Sequence, residues 1–236
     1  MVSGRGKLQL LQLVAGLKEL KYSIDWAVID AAEFGVPQHR RRLLLIGSRV
    51  AVAALPTPSH GPADELTDYT TVRAAIGQLR QLKSGESDLG DHLHRARLHS
   101  DLVLRRLKAV PEGGGRTDLP RDLQLKCHQG HGGHYDIYGR MWWDRPAPTL
   151  TSGCTNPSRG RFAHPDQCRG ITVREAMLLQ SFPTTATLVG GVEAMSLQVG
   201  NAVPPLLAER IGTIVKESEA RLATVTPVPV RSRRTA

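Results

Sequence analysis

The sequence predicts an α/β fold, and three observations in its first fifty residues carry this prediction. Apolar residues recur at helical spacing between Lys7 and Leu20, which predicts a strongly apolar helix. Tyr22–Ile29 alternates large apolar residues with smaller or polar ones, and the aliphatic run Leu43–Ile46, closed by Gly47, predicts a second, buried strand. A helix followed by two strands resembles the last piece of an α/β sheet, and such sheets need more strands than these. We therefore expect the chain to begin within a larger fold.

The turn between the two strands ends in three consecutive arginines. Gly35 and Pro37 mark the turn. If the strand that follows is regular, Gln38, Arg40 and Arg42 lie on one face and point into one cleft. Arginines in such a place are costly to bury unless they meet an anion or a polarisable partner. A solvated basic turn is the alternative, and this stretch alone does not decide between the two.

Composition sets the broad class of protein. The 236 residues are 40% hydrophobic, which is enough for one domain, or two small ones, with a real core. The formal net charge is +9, and it stays clearly positive without the arginines of the C-terminal tail, Arg231, Arg233 and Arg234. This balance predicts a polyanionic partner. No apolar run approaches the roughly 20 residues of a membrane span, and no signal peptide is recognised, so we expect no membrane partner.

The cysteines predict a reducing compartment and no metal site. Cys127, Cys154 and Cys168 form an odd set without regular spacing, which favours free thiols in the cytoplasm. Three histidines follow the first cysteine closely, and together they could resemble a zinc site. These histidines are His128, His131 and His134. No Cys-x-x-Cys pair is present and the spacing fits none of the common zinc arrangements, so we expect polar loop residues facing DNA or solvent.

The stretch from Val50 to about Asp144 is expected to be mostly irregular. Short helices are predicted at Thr71–Leu82 and at Asp101–Val110, the second with Ser100 as its N-cap. A polar segment rich in glycine, histidine and tyrosine follows, and its composition favours contacts with a partner over a role in the core of the fold. An irregular insertion without a task is the alternative.

Regular structure is predicted again near the C-terminus. The Thr172-x-x-Glu175 spacing is a capping box for a helix over Val173–Ser181. The last helix is predicted to start within Gly200–Pro205, with prolines at its first positions. Gly200 and Asn201 would then offer backbone N–H groups at a positive helix end, where a carboxylate or phosphate could bind. An ordinary helix cap is the alternative.

Three stretches resemble sequence motifs of DNA (cytosine-5) methyltransferases. Phe34–Arg42 resembles the eighth motif, with its Gln-x-Arg-x-Arg element, and Gln198–Pro205 resembles the tenth. The ninth is matched by five pieces: Arg145–Leu150, His164–Pro165, Arg169, Thr172–Glu175 and Leu179–Pro183. All three motifs occur in the family's order. The variable stretch before the ninth motif has the position and size of the family's target recognition domain.

The resemblance implies a fold and a domain organisation. We expect the C-terminal part of a Rossmann-like, S-adenosylmethionine-dependent methyltransferase fold with a small, irregular target recognition domain. Residues 1–49 would end the catalytic α/β domain, and residues 50–171 would form the recognition domain, with the ninth motif starting at about residue 145. Residues 172–219 would return to the catalytic domain as helices, and residues 220–236 would be a disordered basic tail.

The resemblance also implies roles for individual residues. Arg42 would contact the pyrimidine O2 of a cytosine flipped out of the duplex, while Arg40 and Gln38 would organise the pocket. The segment that approaches the methionine carboxylate of the methyl donor, S-adenosylmethionine, would consist of Gly200, Asn201, Ala202 and Val203. Contacts to the DNA, or scaffold roles, would fall to Arg145, Thr149 and Arg174.

The sequence departs from the family in a way that bears on activity. It has no Gly-rich first motif for the methyl donor, no Glu-Asn-Val motif for the cytosine and no Pro-Cys motif for the nucleophile. Cys154 follows Gly153 and Cys168 follows Gln167, so neither takes the nucleophile's place. We therefore expect the C-terminal part of a cytoplasmic methyltransferase of restriction-modification type, split or truncated and inactive alone. Its partners would be double-stranded DNA and a second chain with the N-terminal catalytic half. The alternative is a non-catalytic DNA-binding module.

Overall fold

The computed structural model describes residues 5–125, 127 and 132–223. The described residues fall into two compact units. The first comprises residues 5–29, 42–57 and 209–223, and the second comprises residues 30–41 and the described part of 58–208. The predicted domain boundaries, which follow a family resemblance rather than compactness, stay predictions. The predicted boundary between residues 171 and 172 falls inside one hydrophobic core, because Ile171 and Val173 pack into the same cluster.

The first unit contains the α/β segment that the sequence predicts. Helix α1 spans Arg5–Glu19, strand β1 spans Ser23–Asp30 and strand β2 spans Arg41–Ser48, and the two strands pair in a two-stranded sheet. The predicted helix and both strands are thus confirmed. The prediction that the second strand is buried is wrong, because every residue of β2 is at least partly exposed. The described sheet consists of β1 and β2.

Short helices and irregular connections make up the second unit. Its helices are α2 (Val72–Ile76), α3 (Asp101–Ala109), α4 (Val173–Leu179) and α5 (Val192–Asn201), and α6 (Pro205–Ala223) starts in it and continues into the first unit. Single 3-10 turns lie at Ala31–Phe34, Arg116–Asp118, Arg121–Leu123 and Pro157–Arg159.

The observed helices correct several predicted boundaries. Helix α2 ends at Ile76 rather than Leu82, and Gly77 follows it as C-cap, its N–H donating to the Arg73 carbonyl. Helix α3 agrees with its prediction to within one residue and has Ser100 at the N-cap. The capping box of α4 is confirmed: the Thr172 hydroxyl accepts the Glu175 N–H, and the Glu175 carboxylate accepts the Thr172 N–H.

The main core of the second unit is built around α4. Met177 and Leu179 of that helix are fully buried beside Met141, Leu150 and Val199, so residues from the predicted recognition domain and from the predicted C-terminal helices share one cluster. A smaller cluster forms under α3. Side chains from segments far apart in sequence therefore meet around the helix that carries part of the ninth-motif resemblance.

Helix α6 runs to Ala223, past the start of the predicted disordered tail at residue 220. The tail arginines Arg231, Arg233 and Arg234 lie outside the described residues, as do His128 and His131 of the histidine-rich stretch. Within the described ranges, no helix is long and apolar enough to cross a membrane. In the same part of the chain, no group of three histidine, cysteine or acidic side chains is placed to hold a metal ion.

Candidate functional site

A tight turn sets up the eighth-motif stretch. The Asp30 carboxylate caps the single turn Ala31–Phe34 and also accepts the backbone N–H of Arg40 at 2.8 Å. Gly35 follows with φ +83°, a left-handed conformation that glycine adopts without steric cost. One carboxylate therefore fixes both ends of the connection between β1 and β2, which places the side chains that follow.

Gln38 and Arg40 are buried and bonded to distant backbone. The amide oxygen of Gln38 accepts the Leu150 N–H at 2.8 Å. Arg40 is 6% exposed, and its guanidinium donates to the carbonyl oxygens of Leu150 and Gly200, each at 2.9 Å. We call Gln38, Arg40, Leu150 and Gly200 the motif junction. It brings together the three stretches that resemble the eighth, ninth and tenth motifs.

Gly200 fits the motif junction only because it has no side chain. A Cβ at this position would lie 2.3 Å from the backbone carbon of Thr151 and 2.5 Å from the nitrogen of Ser152. Beside it, the Gln180 amide donates to the Val199 carbonyl at 2.7 Å. The end of α5 thus packs directly on backbone that follows Leu150.

This arrangement contradicts the expected anion site at the start of the last helix. Gly200 and Asn201 are the last residues of α5, and α6 begins only at Pro205. A helix end of this polarity presents carbonyl groups, and the Gly200 carbonyl is already bound by Arg40. Ala202 lies between the helices and Val203 is exposed, as is the side chain of Asn201. A role of these residues in donor binding stays a prediction.

Arg42 lies in β2 of the first unit, and its side chain is exposed. Gln38 and Arg40 belong to the second unit, where both are enclosed by protein. The structure therefore brings Gln38 and Arg40 together, but as buried links rather than as side chains facing an open cleft. The pocket roles predicted for the three residues stay predictions.

The three predicted DNA contacts differ in their surroundings. The Thr149 hydroxyl donates to the His39 carbonyl at 2.7 Å. Arg174 forms a two-pronged ion pair with Asp91, and although burial raises the pKa of that carboxyl, the guanidinium holds it below its usual value. Arg145 is exposed and stacks on the indole of Trp142. Only Arg145 therefore has its charge turned to solvent.

A buried ion pair organises the rest of the ninth-motif stretch. Arg169 donates to both carboxylate oxygens of Glu175, at 2.8 and 2.7 Å, and both side chains are almost fully buried. Burial raises the pKa of Glu175, but the Arg169 guanidinium outweighs it and holds the pKa below its ordinary value. Against the same carboxylate lies His164, whose pKa burial lowers to about 4. The sequence identifies these three residues only as parts of the ninth-motif resemblance and does not predict that they form a buried charged cluster.

Cys154 is unsuited to act as a nucleophile. It is completely buried in the main core, and burial raises the pKa of its thiol to about 12. At neutral pH the side chain is therefore a protonated thiol, whereas the reactive species is the thiolate. Cys168 and Cys127 are exposed.

Residues 1–217 match the family of C-5 cytosine-specific DNA methylases. The chain belongs to this family. Among curated members, the type II methylase M.HgiDII of Herpetosiphon aurantiacus is 37% identical over 209 residues, which are 86% of this chain and 58% of that protein. The type II methyltransferase M1.HphI of Haemophilus parahaemolyticus is 37% identical over 205 residues, covering 86% of this chain and 50% of the relative. The chain thus spans about half the length of the curated methylases it matches.

Solved structures support the α/β methyltransferase fold. A crystal structure described as a DNA modification methyltransferase encoded within an E. coli prophage aligns with a TM-score of 0.67 at 20% identity, over 93% of this chain and 67% of the other. The methyltransferase EhMeth of Entamoeba histolytica aligns with a TM-score of 0.50 at 13% identity, over 88% of this chain and 57% of the other. At these identities the likeness concerns the fold alone.

Proposed function

We propose that this methylase-family chain supplies the C-terminal part of a DNA (cytosine-5) methyltransferase, which transfers a methyl group from S-adenosylmethionine to C5 of a cytosine flipped out of double-stranded DNA. The motif junction carries the proposal. It joins, through buried hydrogen bonds of Gln38 and Arg40, the three stretches that resemble the family's last three motifs. Such a junction gives these distant stretches one shared scaffold.

The chemistry assigns Arg42 a role in the transition state. Cytosine C5 is a poor nucleophile, and a covalent thiolate adduct at C6 splits the difficult step into two easier ones. The base must first leave the stack, which takes a few kcal/mol. Negative charge then develops around O2, where a fixed guanidinium stabilises it better than water does. Arg42 follows the buried Arg40 by two residues, so its strand begins at an anchored point.

The donor segment is proposed to consist of Asn201, Ala202 and Val203. The exposed Asn201 amide is able to donate a hydrogen bond to a carboxylate such as that of the methionine moiety. Gly200 is proposed to support this segment by its close approach to the Thr151 and Ser152 backbone, which leaves no room for a side chain, rather than by contacting the donor. When bound, the donor supplies the methyl group.

The nucleophile and the Gly-rich donor loop are proposed to come from an N-terminal half, either on a longer polypeptide or on a separate chain. Neither motif occurs in these 236 residues, and the buried Cys154 is a protonated thiol. Leu8 of α1 is 60% exposed, and Leu11 and Leu43 are exposed as well. Apolar side chains left open in the first unit fit a surface that further strands and helices cover.

The test is reconstitution. The chain is purified alone and together with the half that carries a Pro-Cys motif, taken from the reading frame upstream of Met1 or from a neighbouring gene. Transfer of labelled methyl from S-adenosylmethionine to DNA is measured, and bisulfite sequencing locates the product. We expect no transfer by the chain alone and transfer by the pair. Labelled DNA from the chain alone, above a heat-killed control, would refute the need for a second half.

A non-catalytic DNA-binding module is the second candidate, favoured by the net charge of +9 together with the inert Cys154. The same experiment separates the two. If the pair transfers no methyl group while the chain binds duplex DNA, the binding module replaces the methyltransferase. The second half alone is the control that shows whether transfer depends on this chain.

A further inference from the structure

Two adjacent tryptophans in the second unit each support an arginine. The Cζ atom of Arg145 lies 5.1 Å from the ring centroid of Trp142, and that of Arg73 lies 5.1 Å from the ring centroid of Trp143. A guanidinium over an indole face gains cation–π attraction and keeps its planar N–H donors available at its edge. The chain therefore presents two arginines in similar stacked settings.

The two arginines differ in their charge partners. Arg73 donates to both carboxylate oxygens of Asp144, at 2.7 and 3.0 Å, so its charge is neutralised within the protein. The Arg145 side chain is exposed, and among the described residues no carboxylate or carbonyl accepts a hydrogen bond from it. The exposed Arg145 guanidinium is thus able to donate to a ligand.

The indole beneath Arg145 is held firmly. The Arg161 guanidinium also lies over Trp142, 4.4 Å from its centroid, and donates to the carbonyl oxygens of Gly113 and Gly114, each at 2.6 Å. Gly113 has φ +70°, and a Cβ there would come within 1.9 Å of the indole nitrogen. Space for the ring therefore depends on a glycine, and its position is built into the fold.

The backbone of Arg145 is fixed as well. Its carbonyl accepts the Val72 N–H at 2.9 Å. Two residues further on, Ala147 donates to the Pro37 carbonyl at 2.9 Å and accepts the His39 N–H at 2.8 Å. Arg145 is therefore anchored through its backbone and through its stacked side chain, in register with the eighth-motif stretch.

We propose that Arg145 binds a backbone phosphate of duplex DNA through the edge of its guanidinium. This inference rests on the proposed function, which supplies the DNA. A planar fork matches two phosphate oxygens, and the cation–π contact with Trp142 restricts where that fork lies. Phosphate contacts set the register of a protein on the duplex, whereas base contacts read its sequence. An arginine whose backbone is hydrogen-bonded beside the Gln38 stretch suits the first task.

The test compares matched variants of the full chain by fluorescence anisotropy, with two labelled duplexes of unrelated sequence across a salt series. We expect Arg145→Gln to weaken binding of both duplexes about tenfold at low salt, the loss typical of one charged hydrogen-bonding contact. The slope of log affinity against log salt should fall in magnitude by about 0.9, the contribution of one phosphate. Arg73→Gln removes the neighbouring stacked arginine and should leave both affinities within about twofold.

Arg145→Lys and a folding check complete the design. Lysine keeps the charge but loses the planar fork, so we expect weaker binding with the salt slope unchanged. Circular dichroism melts show whether each variant is folded. If Arg145→Gln does not fold, Arg145→Lys decides, and binding by it as tight as wild type overturns the proposal.

Three further results would also overturn it. They are an unchanged salt slope in Arg145→Gln, equal losses in the Arg145 and Arg73 variants, and a loss confined to one duplex, which would mark a base contact. Absence of DNA binding by the wild-type chain would overturn this inference and the DNA-binding part of the proposed function together. Wild-type binding with an unaffected Arg145→Gln variant would overturn the inference alone.

Discussion

The guanidinium of Arg40 donates a hydrogen bond to the backbone carbonyl of Gly200, a residue 160 positions away in the sequence, at 2.9 Å. The other terminal nitrogen binds the Leu150 carbonyl at the same distance. One buried cation thereby satisfies two backbone acceptors from segments that have no local reason to meet. The integrity of the motif junction consequently depends on this side chain.

Replacing Arg40 should destabilise the fold. Arg40→Met keeps an apolar stem of similar reach but leaves the Leu150 and Gly200 carbonyls unpaired, at about 1–3 kcal/mol for each orphaned group. Urea denaturation monitored by circular dichroism measures the free energy of unfolding. Arg121→Met, at an exposed side chain, is the matched control and should change this free energy by less than about 0.5 kcal/mol. Equal effects of the two substitutions would mean that the junction bonds contribute little.

Two glycines should respond oppositely to the same added methyl group. Gly200→Ala forces a Cβ to within 2.5 Å of the Thr151 and Ser152 backbone, and overpacking of this kind costs about 1–3 kcal/mol. Gly212 lies within α6 with nothing within 4 Å of its added Cβ. Gly212→Ala should therefore stabilise the protein by about 0.5–1 kcal/mol through helix propensity. Thermal melts of both variants give the comparison, and a Gly200→Ala variant as stable as wild type would show that the close approach relaxes freely.

His164 should make stability fall as the solution is acidified. Burial lowers the pKa of this histidine to about 4 from an ordinary value of 6.5, so between these pH values the unfolded chain binds a proton that the folded chain does not. The contribution of His164 to the free energy of unfolding should therefore be largest above about pH 6.5. It should decrease by about 3 kcal/mol in total as the pH falls towards 4.

The His164→Asn variant tests the source of this decrease. Its side-chain oxygen is able to accept the Gln167 N–H that the imidazole accepts at 3.2 Å, but it does not titrate. Urea denaturation at a series of pH values should show a flatter profile for the variant between pH 6.5 and 4. At neutral pH, where the imidazole is uncharged, the comparison reports packing and hydrogen bonding without the effect of a charge. Parallel profiles over the whole range would assign the acid sensitivity to other groups.

Arg42 should matter for methyl transfer more than for binding. In the reconstituted enzyme, Arg42→Ala should slow single-turnover methylation roughly a hundredfold, since one such donor supplies about 3 kcal/mol to a transition state. DNA affinity, measured by anisotropy, should change far less. Arg41→Ala removes the neighbouring exposed arginine of the same strand and serves as the control. An unchanged rate in Arg42→Ala would show that this guanidinium has a structural role.

Local signals in the sequence predict those elements whose stability is local. The apolar spacing of α1, the two strands and the Thr172–Glu175 capping box depend on residues a few positions apart, and all of them are found. Helix α5 is not predicted although Val192, Met195 and Val199 have helical spacing, because Gly200–Pro205 matches the signal for the start of the next helix.

Sequence alone determined the family and the positions of its motif-like stretches. The order and spacing of these residues are recognisable without knowing which residues contact them in the fold. Tertiary structure alone decided which arginines of these stretches pair with a carboxylate of the chain and which are exposed to a ligand. Arg145 and Arg174 both belong to the ninth-motif resemblance, yet Arg174 pairs with Asp91, 83 residues away, while Arg145 lies over Trp142 and is exposed. The physical reason is that a charge is neutralised by whatever side chain packing brings within hydrogen-bond distance, and long-range packing is not encoded in any short window of the chain.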